Sequence, residues 1–406
     1  MKVVLTAWGS RGDVEPLTGL AVALQKLEVE VRLCVPADDE FTDLLASLDL
    51  PLVPLGPTAK SVVSGSTPPA ERAFQLAREL VAARFETLSA AAADGYDAIV
   101  ATGLMPAGAR DVADKFGLHY VLATFHLAGL PSQRFRPGAR PGTPSSAAET
   151  DLKVLWEQDA QRVNGLYQEA VNQHRADLGM PPVDNVRDYV LTDRPWLAAD
   201  PTLCPSEGMT ELDVVQTGAW IRHDSRPLPD ELQSFLDAGE PPVYVGLGSM
   251  AAYAPKSTAP AAIEAIRARG RRVVVARGWA GLDAVDDADD CLVIGTVNHQ
   301  ALFPRMAAIV HHGGAGTTTA AARAGVPQVI VPLIADQPYW AGRVVDLGIG
   351  AAHQGKEPTP ASVSASLDVA LADETQVRAR AVAEKVRGDG AMVAAELLVK
   401  EMSERR

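Results

Sequence analysis

Residues 307–340 read AAIVHHGGAGTTTAAARAGVPQVIVPLIADQPYW, and this stretch decides the fold class. The apolar run before His311 suits a buried strand. Gly313, Gly314 and Gly316 allow a tight turn, and Thr317 to Thr319 open a helix that Gly325 closes. The apolar run Gln328 to Leu333 follows as a second strand and ends in the polar tip Asp336-Gln337. Strand, glycine loop, helix and strand form the repeating unit of a doubly wound parallel α/β sheet. The helix start also suits an anion, because unpaired backbone N–H groups and the positive end of the helix dipole converge there, and glycines let the anion come close.

No Lys follows the last glycine, so the loop is not a P-loop, and the spacing is not the G-x-G-x-x-G of a dinucleotide fold. Hydride transfer is therefore disfavoured. Glycine turns also serve as plain connectors, so the loop alone leaves structure and phosphate binding both open. Asp336 and Gln337 lie just past a strand, where an open α/β sheet presents its ligand edge. Together the loop and the polar pair fit a sugar diphosphate.

The chain has 406 residues, 47% hydrophobic and 22% charged, which allows two domains with ample core and excludes global disorder. A formal net charge of −14 argues against nucleic acid as a partner, while a phosphate site built from backbone N–H groups needs no net positive charge. Cys34, Cys204 and Cys291 are scattered, indicating neither a zinc site nor a disulfide framework. The N-terminal apolar run is too short for a signal segment and no stretch approaches a membrane span, so a soluble, cytoplasmic protein without stable membrane insertion is expected.

In chain order, Lys2 to Trp8 reads as a buried strand, GSRGDVEP as a turn, and LTGLAVALQKL as a helix with Pro16 near its start. Strands at Val29 to Pro36, Asp97 to Thr102 and Tyr120 to Thr124 continue the alternation, with a polar helix over Asp38 to Leu48. Gly56 to Pro69 and Leu130 to Ala148, rich in turn residues, read either as loops of an acceptor pocket or as disordered segments. A long helix over Asp151 to Leu178 stops at Gly179-Met180-Pro181-Pro182. The Pro-, Asp- and Gly-rich stretch 218–242, with one short helix at Pro229 to Ala238, reads as a linker between a first domain, 1–217, and a second, 243–406, whose last helix is able to pack back on the first. Strands at Arg272 to Ala276, Cys291 to Gly295, Ala308 to His311 and Val329 to Leu333 build the second domain. Trp8-Gly9-Ser10 and Leu247-Gly248-Ser249 place a Gly-Ser pair after the first strand of each half.

GSRGDVEP, LTDRPWLAADP, VQTGAW, HHGGAGTTTAAARAGVPQVIVP and ADQPYW resemble the actinobacterial glycosyltransferases that decorate glycopeptide antibiotics, within a nucleotide-sugar-dependent family that also holds sterol and macrolide glycosyltransferases. The similarity runs over essentially the whole chain. It implies a GT-B fold, two Rossmann-like doubly wound parallel-sheet domains facing across a cleft, and transfer of a hexose or deoxyhexose from a UDP- or TDP-sugar to a natural-product hydroxyl. Inversion at the anomeric carbon, no bound metal, no cofactor beyond the nucleotide sugar, and a monomer or weak dimer are further implications. In the family the diphosphate is held by the positions occupied here by His312, Gly314, Ala315, Gly316 and Thr317, with Ser249 beside them and Ser10 as a weaker counterpart from the acceptor side. The base falls near Val297, with Arg277, Gly278 and Trp279 as neighbours, and Asp336 and Gln337 reach the donor sugar.

Many members of the wider family use a His after the first strand as base, and here the first histidine is His119. Asp13 stands in the first loop, where its sequence context suits either a helix cap or a catalytic carboxylate. The resemblance implies the catalytic role. His126, followed by a long loop, is the candidate for touching acceptor. His311 and His312 are adjacent on a strand end and point to opposite faces, which disfavours shared metal binding, and Asp287-Ala288-Asp289 reads as a solvated turn. A sterol, lipid or polyketide glycosyltransferase is the alternative within the class. A nucleotide-sugar epimerase would leave the acceptor-side loops and the Asp-Gln pair unexplained, and a non-catalytic auxiliary protein would be expected to have degraded motifs.

Overall fold

The computed structural model describes residues 1–63, 69–138, 149–249, 254–279, 281–282, 288–355 and 357–405. The chain divides into two compact units, residues 1–201, 205–222 and 388–406 in the first and residues 202–204 and 223–387 in the second.

The first unit carries strands β1 (Lys2–Trp8), β2 (Glu30–Val35), β3 (Leu52–Pro54), β4 (Ala98–Gly103), β5 (His119–Thr124), β6 (Trp196–Leu197) and β7 (Val215–Gln216). They form one sheet in the order β3-β2-β1-β4-β5-β6-β7, every pairing parallel. Its helices are α1 (Arg11–Lys26), α2 (Asp39–Ala46), α3 (Ala59–Val63), α4 (Pro69–Ala93), α5 (Ala109–Phe116), α6 (Leu152–Asp177) and α7 (Val186–Leu191). The order reverses between β1 and β4, so the loops after these two strands flank the sheet's switch point.

The second unit holds α8 (Asp230–Asp237), β8 (Val243–Gly246), α9 (Thr258–Arg267), β9 (Val273–Ala276), β10 (Cys291–Ile294), α10 (His299–Leu302), β11 (Ala308–His311), α11 (Ala315–Arg323), β12 (Gln328–Ile330), α12 (Gln337–Asp346), β13 (Gly350–Ala352), α13 (Pro360–Ala370) and α14 (Asp373–Ala383). The last helix, α15 (Gly390–Glu404), belongs to the first unit, where Glu401 meets His119 at 3.0 Å and Arg194 at 3.1 Å. The second sheet runs β10-β9-β8-β11-β12-β13, again parallel throughout, with its switch point between β8 and β11.

Alternation along these strands explains the layers. Val243, Val245, Val273, Val275, Ala308 and Val310 face one apolar cluster with α9 and α13. Tyr244, Val274 and Ile309 face the other, with α8 and α11. Both faces are apolar, as a sheet covered by helices on two sides requires.

Two helix starts differ from the sequence reading. Helix α1 begins at Arg11, so most of GSRGDVEP is helical and Pro16 lies inside the helix. The cause is Ser10, whose extended backbone makes it the N-cap, with Asp13 three residues on. Helix α11 begins at Ala315 behind an extended Gly314, which puts Gly316 and Thr317 in its first turn. The Thr318 and Thr319 hydroxyls donate back to the carbonyls of Gly314 and Ala315, so neither is a cap.

Of the two long stretches, 56–63 contains α3 and 130–138 contains neither helix nor strand, while 64–68 and 139–148 lie outside the described residues. The start of the first is fastened by Trp8, whose indole N–H donates to the Pro57 carbonyl at 2.8 Å, and by Asp38, which accepts from the N–H groups of Ala59 and Lys60. In the second, Ser132 donates to the Met209 carbonyl and the Phe135 carbonyl accepts from Trp156 at 3.1 Å.

Candidate functional site

All six strands of the second sheet end on one edge, and five successive loops there carry the residues singled out for donor binding. Val297 follows β10, Arg277 to Trp279 follow β9, Ser249 follows β8, His312 to Thr317 follow β11, and Asp336 and Gln337 follow β12. Gly248 joins three of these loops. Its carbonyl accepts the Trp279 N–H at 3.3 Å, a Cβ on Gly278 would stand 2.6 Å from that same oxygen, and a Cβ on Gly248 itself would stand 3.2 Å from His312 Cε1. Gly278 and Gly248 both have positive φ, 57° and 55°, so glycine is required there for backbone and for space.

The β11 loop is set by His311. Its Nδ1 accepts the Gly313 N–H at 3.1 Å, so the proton sits on Nε2, which faces Gln328 Oε1 at 2.9 Å. Gln328 in turn donates to the Thr318 carbonyl at 3.3 Å, tying the loop to α11. Burial first, and then the neighbouring His312, hold the His311 imidazole down to about 3. Gly313 turns the chain at φ 93°, where a Cβ would meet Ile330 at 2.7 Å.

His312 packs between glycines, since a Cβ on Gly314 would reach its Nε2 at 2.7 Å. Burial lowers its pKa to about 4 against the opposing pulls of Asp336 and the Gly246 backbone, so at neutral pH it is an uncharged ring. Its Nδ1 is buried without a partner of good hydrogen-bond geometry. Next to it, the first N–H groups of α11 belong to Ala315, Gly316 and Thr317, and a Cβ on Gly316 would point into open space.

The β12 loop passes through Ala335 in a left-handed conformation, φ 58°. Gln337 is buried, and its Oε1 accepts the N–H groups of Leu333 at 2.6 Å and Ile334 at 3.0 Å. The Asp336 carboxylate accepts the Trp340 indole N–H at 2.7 Å. Both side chains are thus partly committed to their own loop, which motif reading did not show. Trp340 sits four residues after Asp336, and that spacing on one helix face was the available signal.

Val297 is buried against Leu302 and Phe303, and Asn298 caps α10 while donating to the carbonyls of Asp224 and Arg226, both at 2.8 Å. Beyond them His299 stacks on Phe303 with ring centroids 4.5 Å apart and meets Tyr244 Oη at 3.4 Å. Neither His299 nor Tyr244 was singled out from sequence.

On the first unit, Asp13 Oδ2 accepts the Ser10 N–H at 2.8 Å, so the carboxylate caps α1. It lies between two glycines: a Cβ on Gly9 would stand 2.1 Å from Oδ2 and one on Gly103 3.4 Å from Oδ1. Gly103 ends β4 with φ 82°, across the switch point from Asp13, and was also missed. Arg84, buried, secures the loop beyond it by donating to the carbonyls of Leu104 at 3.1 Å and Ala107 at 3.2 Å. His126 follows β5 on the same edge, half-buried, its Nδ1 without a hydrogen-bond partner among the described residues. Ser10 belongs to this unit rather than to the second sheet.

Among the described residues no group of three or more His, Cys, Asp or Glu could hold a metal ion, and no helix is long and apolar enough to cross a membrane. Asp287 of the D-x-D sequence lies outside the described residues.

Residues 3–109 match the glycosyltransferase family 28 N-terminal domain, and residues 273–399 match the C-terminal domain described as erythromycin biosynthesis protein CIII-like. Glycosyltransferase GtfE of Amycolatopsis orientalis is 49% identical, covering 100% of this chain and 99% of its own. Vancomycin aglycone glucosyltransferase of the same organism is 48% identical over 99% of this chain and 98% of its own. Among solved structures, the glycosyltransferase VinC in complex with dTDP superimposes with a TM-score of 0.68 at 19% identity, covering 100% of both chains. The kitacinnamycin glycosyltransferase reaches 0.75 at 19% identity over 99% of each chain.

Proposed function

The chain belongs to the actinobacterial glycopeptide-antibiotic glycosyltransferases, of the GT-B fold, and from that premise we propose that it moves a hexose or deoxyhexose from a UDP- or TDP-sugar to a hydroxyl of a glycopeptide or similar aglycone. The observation that carries this is the convergence of five loops on one edge of the second sheet, at its switch point, with the α11 N-terminus and His312 beside a cradle that Gly316 leaves open. In the reaction, Asp13 takes the proton of the acceptor hydroxyl as its oxygen bonds to the anomeric carbon. The bond from that carbon to the diphosphate breaks with its electron pair, and the configuration inverts. The N–H groups of Ala315, Gly316 and Thr317 stabilise the charge gathering on the leaving diphosphate, with no metal required. His312 acts there as a neutral donor. Asp336 and Gln337 hold the sugar, while Val297 and the loop at Arg277 to Trp279 border the nucleoside.

A screen of UDP- and TDP-sugars by thermal shift identifies the donor, because a ligand at 100 times its dissociation constant stabilises the fold by about 2.7 kcal/mol. Slow release of free sugar from the stabilising donor is expected, and transfer once an aglycone is added. Conversion of one nucleotide sugar into another, or binding without any turnover, would overturn the proposal.

A further inference from the structure

We propose that Trp340 is a positioning residue for donor-sugar recognition, its indole N–H fixing one carboxylate oxygen of Asp336 so that the other meets the sugar. This rests on the reading of Asp336 as a sugar contact.

Asp336 is the N-cap of α12, yet its side chain makes no cap hydrogen bond. An aspartate at that position ordinarily turns toward the N–H groups of the first helical turn. Here Oδ2 instead takes the Trp340 indole at 2.7 Å, and Oδ1 has no hydrogen bond among the described residues. Trp340 is 1% exposed, so its N–H has no water to fall back on, and a charge-assisted bond to the half-buried carboxylate serves both groups. The indole is anchored independently of the loop, because α12 is held from the side: Arg343 donates to the carbonyls of Leu203 at 2.9 Å and Thr202 at 3.3 Å, and the Tyr339 hydroxyl meets Cys204 Sγ at 3.2 Å. The loop thus has two braces, the indole on Asp336 and the Gln337 carbonyl on Leu333 and Ile334. Each leaves one polar end of its side chain for ligand, an acceptor on Asp336 and an amide donor on Gln337.

Trp340→Phe removes the N–H while keeping an aromatic ring in the core. Benzothienylalanine in place of Trp340 keeps the bicyclic shape as well, which answers any folding defect of Trp340→Phe. Calorimetry with UDP-glucose or TDP-glucose, and with UDP or TDP as the sugar-free reference, is run on both variants, on Asp336→Ala and on the combined Asp336→Ala/Trp340→Phe. The expected result is about three- to tenfold weaker nucleotide-sugar binding, unchanged nucleoside diphosphate binding, and no further loss when Trp340→Phe is added to Asp336→Ala. Equal weakening of both ligands, or additive losses in the combined variant, would make Trp340 a merely structural residue. Full nucleotide-sugar affinity in the two Trp340 variants beside a weakened Asp336→Ala overturns the positioning role alone. Full affinity in Asp336→Ala overturns the sugar contact and, with it, this inference.

Discussion

The Asp13 carboxylate is fastened to the Ser10 N–H at 2.8 Å, so the residue proposed as base also takes part in the capping box of α1. Capping and catalysis are compatible, because the bond from the Ser10 N–H orients the carboxylate without transferring a proton to it. Asn keeps a carbonyl oxygen that accepts from Ser10 and loses the basicity. Asp13→Asn is therefore expected to fold and bind nucleotide normally and to slow transfer by about 10² to 10⁴. Gly9→Ala should slow transfer too, since its Cβ would stand 2.1 Å from Oδ2 and must displace the carboxylate, at some cost to the cap as well. Transfer by Asp13→Asn within about threefold of wild type is too small a loss for a general base and would move the search to His126.

His312→Ala is expected to weaken binding of the nucleoside diphosphate by about tenfold, the loss of one good hydrogen bond, while the secondary structure holds. Titration by calorimetry decides it. Unchanged affinity would remove His312 from the phosphate site.

What was legible in sequence was what depends on periodicity and local spacing. Val243, Val245 and Tyr244 alternate faces in the structure as their pattern requires, and the glycine at 313 stands where a left-handed turn demands one. The start of α1 was misplaced because Pro16 resembles a first-turn proline, although Ser10 and Asp13 already carried capping-box spacing. Strands β6 and β7, two residues each, are too short to show any alternation. The contacts that define the site were out of reach for another reason. The approach of Gly278 to the Gly248 carbonyl, the brace from Gln337 to Leu333 and the seat of Asp13 between Gly9 and Gly103 join loops or rotamers that no local pattern encodes.

The histidine pair should make the protein acid-sensitive. Both pKa values are depressed, to about 3 for His311 and about 4 for His312, so an unfolded chain takes up these protons near the ordinary value of 6.5 while the folded chain resists. Their contribution to stability is therefore complete above pH 6.5 and is lost as pH falls toward 4 and then 3, at about 1.4 kcal/mol per pH unit for each proton. Thermal midpoints measured from pH 7 to pH 4 should fall, and less steeply in His312→Gln than in wild type. Parallel curves would show that His312 is not buried in its neutral form.

Gln337 is expected to behave differently from Asp336, although the two sit side by side. Gln337→Ala strands the N–H groups of Leu333 and Ile334, and should loosen the loop and lower stability by about 1 to 3 kcal/mol. Gln337→Glu keeps an accepting oxygen and should retain the fold while losing donor turnover. Denaturant titration beside donor hydrolysis separates the two effects. Equal stability losses in the two variants would mean that the carbonyl brace is not what holds the loop.

The sharpest test of the phosphate cradle is Gly316→Ala, because this substitution collides with nothing among the described residues. A Cβ at Gly316 would meet no described residue beyond its own helix and chain neighbours within 4 Å, and the residue lies in the first turn of α11. In a helix Ala is favoured over Gly by about 0.8 to 1 kcal/mol, so the variant should be at least as stable as wild type. A helical Cβ tilts toward the helix N-terminus, which is where the N–H groups of Ala315, Gly316 and Thr317 would receive the diphosphate. The added methyl should then compete with the ligand and not with the fold. The expected outcome is an unchanged or higher thermal midpoint together with loss of nucleoside diphosphate binding by about tenfold or more, since an anion pushed away from oriented N–H groups loses charge-assisted hydrogen bonds. Gly314→Ala is the contrasting case: its Cβ would meet His312 Nε2 at 2.7 Å, so it should lower stability as well as binding. If Gly316→Ala bound nucleoside diphosphate with wild-type affinity, the phosphates would have to lie elsewhere than at the start of α11, and the proposed placement of the donor would fail with it.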